Sequence, residues 1–122
     1  MQKWLLGITL LFAFSGLLPS RVVLVRASAR VNVQDIPPIL QKIAVCESGN
    51  RQFEEDGKTV IRGRANPHDI GRWQINERWH LKESRRLGMD IYSEAGNLAY
   101  ALHLYRINGT RDWSWSRACW SK

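Results

Sequence analysis

Apolar residues outline the first elements. Trp4 to Leu18 is an apolar run of 15 residues, broken only by small or weakly polar positions. Further on, Ile39, Ile43 and Cys46 recur at helical spacing with Leu40 and Ala44 beside them, which predicts a helix. Asp35 is placed to cap that helix, Pro37-Pro38 suit its first turn, and Gly49 stands where a left-handed residue would stop it. Arg51 to Arg62 is polar; Asp56-Gly57 is a turn signal and Thr59-Val60-Ile61 supplies strand formers, so this stretch predicts a hairpin. Arg62-Gly63-Arg64 and Asn66-Pro67 then break the pattern. Glu77 to Leu87 predicts a polar helix ended by Gly88, with Trp79 and Leu87 as its buried residues. Ser93 can cap a longer helix over residues 94–108, in which Ala95, Leu98, Leu102 and Tyr105 form an apolar stripe and Gly109 is the stop. Trp113-Ser114-Trp115 and Cys119-Trp120 close the chain. One hairpin among several helices makes the expected class α+β, mostly helical.

Charge and cysteines change this picture. Lys3 before the apolar run and Ala27-Ser28-Ala29 behind it predict a signal peptide over residues 1–29, with an uncleaved signal-anchor as the alternative. The run is shorter than the ~20 residues of a membrane span, so membrane contact is expected only if the leader is kept. Export to the periplasm, the cell envelope or the medium follows, with residues 30–122 as one domain. Removing the leader takes three basic residues and no acid, so the net charge falls from +7 to +4. A moderate positive excess suits an anionic partner such as a cell-wall polymer. The basic residues are scattered, with only Arg85-Arg86 adjacent, so no nucleic-acid partner is expected. The only two cysteines, Cys46 and Cys119, lie after the leader. In an oxidising compartment they can bridge, although two buried free thiols fit the sequence as well. Neither has a Cys or His at ligand spacing, so no metal site is expected.

Candidate chemistry concentrates in two segments. Cys46-Glu47-Ser48-Gly49 puts Glu47 in the last turn of the first helix. The partial negative charge of a helix C-terminus and burial among apolar residues both raise a carboxyl pKa, as a general acid near neutral pH requires; an ordinary exposed Glu at a helix end has the same local sequence. The second segment is Asp69-Ile70-Gly71-Arg72-Trp73-Gln74-Ile75-Asn76. Glu-Ser-Gly, a turn, then Asp-x-Gly-x-x-Gln-Ile-Asn resembles the lysozyme-like superfamily, above all the small lytic transglycosylases that accompany secretion systems and phages. Animal-type lysozymes share the second segment. The resemblance spans roughly residues 37–120.

It implies a lysozyme-like fold, mostly helical with one small β-hairpin lobe beside a sugar cleft. The implied activity is cleavage of the β-1,4 bond between N-acetylmuramic acid and N-acetylglucosamine in peptidoglycan, by a monomer without cofactor. Glu47 would protonate the glycosidic oxygen and then act as base while the sugar's own 6-hydroxyl attacks. Asp69 takes the position of the second carboxylate of animal-type lysozymes, which keeps hydrolysis open as an alternative. A non-catalytic glycan-binding module on the same fold is another. Substrate-binding positions would be Ser48, Gly71 through close backbone approach, Gln74 through its amide, and Asn76, which can equally cap the next helix. Trp113 and Trp115 can stack on sugars or pack in the core. Asn97 begins a segment like the Asn-Leu/Ile-x-x-Ala/Gly helix of the transglycosylases. Two features depart from the family: Arg72-Trp73 stands where two apolar residues are usual, and the Ala-Tyr-Asn-Ala-Gly segment is absent. Tyr100, His103 and Tyr105 read as core or surface residues.

Overall fold

The computed structural model describes residues 36–122. The leader over residues 1–29 and the Asp35 cap lie outside them. The described residues form helices and one small antiparallel sheet, an α+β arrangement.

Helix α1, Pro38–Ser48, starts after Pro37, whose side chain makes no cap; Pro in the first turn lacks an N–H that the helix would not use. Leu40, Ile43 and Ala44 are buried. Gly49 stops the helix in the left-handed region, φ 65°, where its N–H and that of Asn50 reach the carbonyls of Val45 and Ala44.

The stretch from Arg51 to Arg62 does turn back on itself, but not through a two-residue hairpin. A single bridge joins Phe53 and Val60, and Glu54 N–H donates to the Thr59 carbonyl at 2.7 Å. Between them Asp56 Oδ1 accepts from the backbone N–H groups of Lys58 and Thr59, at 2.9 and 2.8 Å. The carboxylate takes the amides that a tighter ladder would have paired. The two-stranded sheet lies later. Strand β1, Asp69–Ile70, pairs with β2, Ile75–Asn76, with Asp69 opposite Asn76 and Ile70 opposite Ile75.

The turn between these strands is fixed from both sides by buried amides. Gly71 has φ 72°, and a Cβ placed there would come within 2.4 Å of Gln52 Oε1 and 2.7 Å of Asn97 Nδ2. Gln52 accepts from Arg72 N–H at 2.8 Å and donates to the Tyr92 carbonyl at 3.1 Å. Asn97 accepts from Trp73 N–H at 3.1 Å and donates to the carbonyls of Ile70 and Ile91, at 3.0 and 2.8 Å.

Helix α2, Glu77–Arg86, is capped by Asn76, whose side chain accepts from Arg78 N–H at 3.1 Å. Its inward side is formed by Ser84 with half-buried His80, Leu81 and Leu87. Trp79 falls off that side and is 80% exposed, so its expected burial is corrected. Helix α3, Glu94–Asn108, begins at Ser93, whose hydroxyl accepts from Gly96 N–H. Its buried side holds Asn97, Tyr100, Ala101 and Leu104. Of the expected stripe only Leu102 is buried; Ala95 is exposed, and Leu98 and Tyr105 are half-buried. The inward side carries polar groups because each has a partner, Tyr100 Oη lying 3.1 Å from His80 Nδ1.

A 3-10 segment, Arg111–Ser116, leads into the short helix α4, Arg117–Trp120, and both pack on α1. Indole N–H groups link the layers. Trp73 donates to the Leu40 carbonyl at 2.9 Å, Trp113 to the Trp73 carbonyl at 2.8 Å, and Trp120 to the Trp113 carbonyl at 3.0 Å. Cys46 and Cys119 form a disulfide between α1 and α4, so the bridge is the one of the two sequence alternatives that holds. Among the described residues no helix is long and apolar enough to cross a membrane.

Two stability effects follow. Gly71→Ala is expected to destabilise by about 3 kcal/mol or more, from a left-handed Ala and displaced buried amides, read as a lower urea midpoint. Reduction opens a crosslink of 73 residues' separation. Such a loop is worth about 4 kcal/mol, so the melting temperature is expected to fall by at least about 15 °C in reductant.

Candidate functional site

Glu47 lies half-buried in the last turn of α1, at a groove of about 570 Å³. Asp69 and Gln74 come from the β1–β2 hairpin, Trp79 and His80 from α2, and Trp113 and Trp115 from the 3-10 segment. Burial pushes the Glu47 pKa up from its ordinary value; a hydrogen bond from Ser116 pulls it down less strongly, and the charge of Asp69 pushes it up further.

Ser116 Oγ is 2.5 Å from Glu47 Oε1 and 3.1 Å from the Trp113 carbonyl, and Trp120 Nε1 donates to it at 3.1 Å. A hydroxyl has one proton but can also accept. It can donate to ionised Glu47, or turn to the Trp113 carbonyl and accept from protonated Glu47. Both states of the carboxyl therefore keep a partner.

Asp69 is held by two side-chain amides: its Oδ1 accepts from Asn66 at 3.1 Å and from Asn76 at 2.7 Å. Asn76 thus serves two ends, capping α2 with its oxygen and orienting Asp69 with its nitrogen. Glu77, the residue after Asn76, is clamped in turn, outside the groove lining. Arg62 and His68 Nδ1 lie 2.9 Å from Glu77 Oε1, and Tyr92 Oη donates to Oε2 at 2.6 Å. These partners, Arg62 foremost, hold the Glu77 pKa down at about 2.

The structure therefore brings together Glu47, Asp69, Gln74, Asn76, Trp113 and Trp115 along one groove. Gln74 donates through Nε2 to the Gly71 carbonyl at 2.8 Å, and its Oε1 lies beside Gly63. Trp113 is buried with its indole N–H committed to the core, whereas Trp115 is fully exposed. Ser48 is spent on the backbone: its hydroxyl lies 2.8 Å from the Arg72 carbonyl and accepts from Arg51 N–H. Gly71 is a correction, since it is buried against Gln52 and Asn97 and does not line the groove. Arg72 turns away to pair with Glu94 and to lie over the Trp73 ring. Among the described residues no group of three or more His, Cys, Asp or Glu gathers in a way that could hold a metal ion.

Ser116, Trp79, His80, Asn66 and Asp112 are among the site residues that sequence reasoning missed. For Ser116 a signal existed: it stands three residues before Cys119, so a bridge to Cys46 brings the same helical face to Glu47. For Asn66 the sequence offers only a chain-breaking Asn-Pro.

The carboxyl can be followed directly by ¹³C NMR. The Glu47 midpoint is expected above the ordinary value of 4.5. Ser116→Ala removes a bond to the ionised form and should move the midpoint up; Asp69→Asn removes a neighbouring negative charge and should move it down.

No protein-family model, no curated protein and no solved structure matches the chain.

Proposed function

We propose that the chain is a peptidoglycan lytic transglycosylase that cleaves the β-1,4 bond between N-acetylmuramic acid and N-acetylglucosamine. The observation that carries this reading is Glu47: a carboxyl at a groove, pushed towards its protonated form, with a hydroxyl partner for either state. Glu47 donates its proton to the glycosidic oxygen as the bond breaks. It then takes the proton of the muramyl 6-hydroxyl as that oxygen attacks the anomeric carbon, which leaves a 1,6-anhydro end. Trp115 and Trp79, both exposed along the groove, offer faces on which sugar rings stack.

The lysozyme-like resemblance of Glu47-Ser48-Gly49 and of Asp69–Asn76 supports the same class of chemistry. The disulfide fits an oxidising compartment, and with the expected leader it supports export; the chain would then act as a monomer on the glycan strand. A second reading, hydrolysis, is favoured by Asp69, which lines the groove with Glu47 and is oriented by two amides. There Asp69 would be the nucleophile or the electrostatic partner of Glu47.

Cleavage of purified walls by the exported protein tests both. Glu47→Gln is expected to lower clearance by at least about 100-fold. Product ends one water lighter than reducing ends, and resistant to borohydride, are expected from the transglycosylase. Reducing ends, with a loss of several orders of magnitude in Asp69→Asn, would establish the hydrolase instead. A wild-type protein that binds walls without cleaving them would make the chain a glycan-binding module.

A further inference from the structure

The groove continues past the tryptophans' reach. A second arm of about 480 Å³ runs between the end of α1 and the loop at residues 51–64, and Glu47 and Gln74 line both arms. The arms differ in charge. Asp69 and Asp112 line the tryptophan arm, with no Lys or Arg. The second arm is lined by Arg51, Arg62 and Arg64, and its only carboxylate besides Glu47 is Glu54.

The three guanidiniums are not equivalent. Arg62 is engaged by Glu77 and by the Pro67 carbonyl. Arg51 and Arg64 are exposed and make no ion pair among the described residues. Both are placed by their backbones. Arg51 N–H donates to Ser48 Oγ at 3.1 Å, one residue beyond Glu47. Gly63, next to Arg64, closes on the groove so tightly that a Cβ there would lie 2.9 Å from Gln74 Oε1.

Every second sugar of the glycan carries a lactyl group, whose carboxyl is either free or extended by a peptide that bears carboxylates of its own. Such a group is repelled by the aspartates of the first arm. A guanidinium fork in the second suits it, through paired charge-assisted hydrogen bonds. We propose that Arg51 and Arg64 bind a carboxylate of the muramyl substituent, so that the strand is read by charge on one side of Glu47 and by aromatic stacking on the other. This rests on the glycan-cleaving reading above.

The test is binding, measured by calorimetry on the Glu47→Gln protein so that it is read whether or not the wild type cleaves. Three soluble glycan oligomers are compared: peptide-bearing, peptide-free with the lactyl carboxylate exposed, and a form with its carboxylates converted to amides. At least about tenfold tighter binding of a carboxylate form over the amide form is expected. The preference should vanish when Arg51→Gln and Arg64→Gln are added, and survive in part in Arg51→Lys with Arg64→Lys, which keeps charge but loses the fork. The ranking of the first two oligomers tells the lactyl carboxylate from those of the peptide. Equal affinity for free and amidated forms, a preference that outlasts the loss of both arginines, or no binding at all would overturn the proposal. Failure of the wild type to cleave walls would sink the glycan-cleaving reading alone, leaving the binding result intact.

Discussion

The packing of Gln52 and Asn97 on Gly71 is the constraint from which the groove is built. A turn that brings Ile70 and Ile75 into register needs a backbone at φ 72° with nothing on its Cα, and two buried amides occupy the space a side chain would have taken. They are not fillers. Between them they satisfy the N–H groups of Arg72 and Trp73 and the carbonyls of Ile70, Ile91 and Tyr92, all of which would otherwise be desolvated without partners. Asp69 stands two residues before Gly71 and Gln74 ends the turn, so the position of both in the groove is inherited from the fit at Gly71.

Glu47 is anchored from the other side. The Leu40 carbonyl, Trp73, Trp113 and Trp120 are joined by three indole hydrogen bonds, and the disulfide closes α4 onto the residue preceding Glu47. Trp120 then reaches Ser116, and Ser116 reaches Glu47. The half-buried carboxyl lies in a groove that Trp113 and Trp115 also line, and it is hydrogen-bonded because the same segment delivers Ser116. Burial and the hydroxyl act on its proton in opposite directions, and burial is the larger effect.

Much of this was legible in the sequence where local chemistry decides. Gly49 and Gly109 end their helices, Ser93 and Asn76 start theirs, and Glu47 lies in the last turn of α1. The hydrophobic pattern failed where polar side chains are buried with partners. Asn97 and Tyr100 form the inner side of α3, so a stripe drawn through apolar residues alone was turned away from the true one. It failed again at Trp79, where a large apolar residue faces the groove instead of the core. The Asp56 turn shows a third limit: strand propensity and a turn signal were both present, yet the carboxylate claimed the amides and left one bridge. Gln52 carried no signal, since its partners lie some 20 to 41 residues away.

The clamped Glu77 and the groove carboxyl Glu47 respond differently to acid. Glu77 is held at about 2, so what its charge contributes is present in full above the ordinary value of 4.5 and is lost only as the pH falls through about 2. Glu47 is shifted the other way. The two carboxyls thus titrate in separate ranges, although Glu77 directly follows Asn76, which lines the groove with Glu47. A proton can arrive at or leave Glu47 while Glu77 keeps its ion pair with Arg62, so the anchoring of the residue beside Asn76 is insulated from the event in the groove.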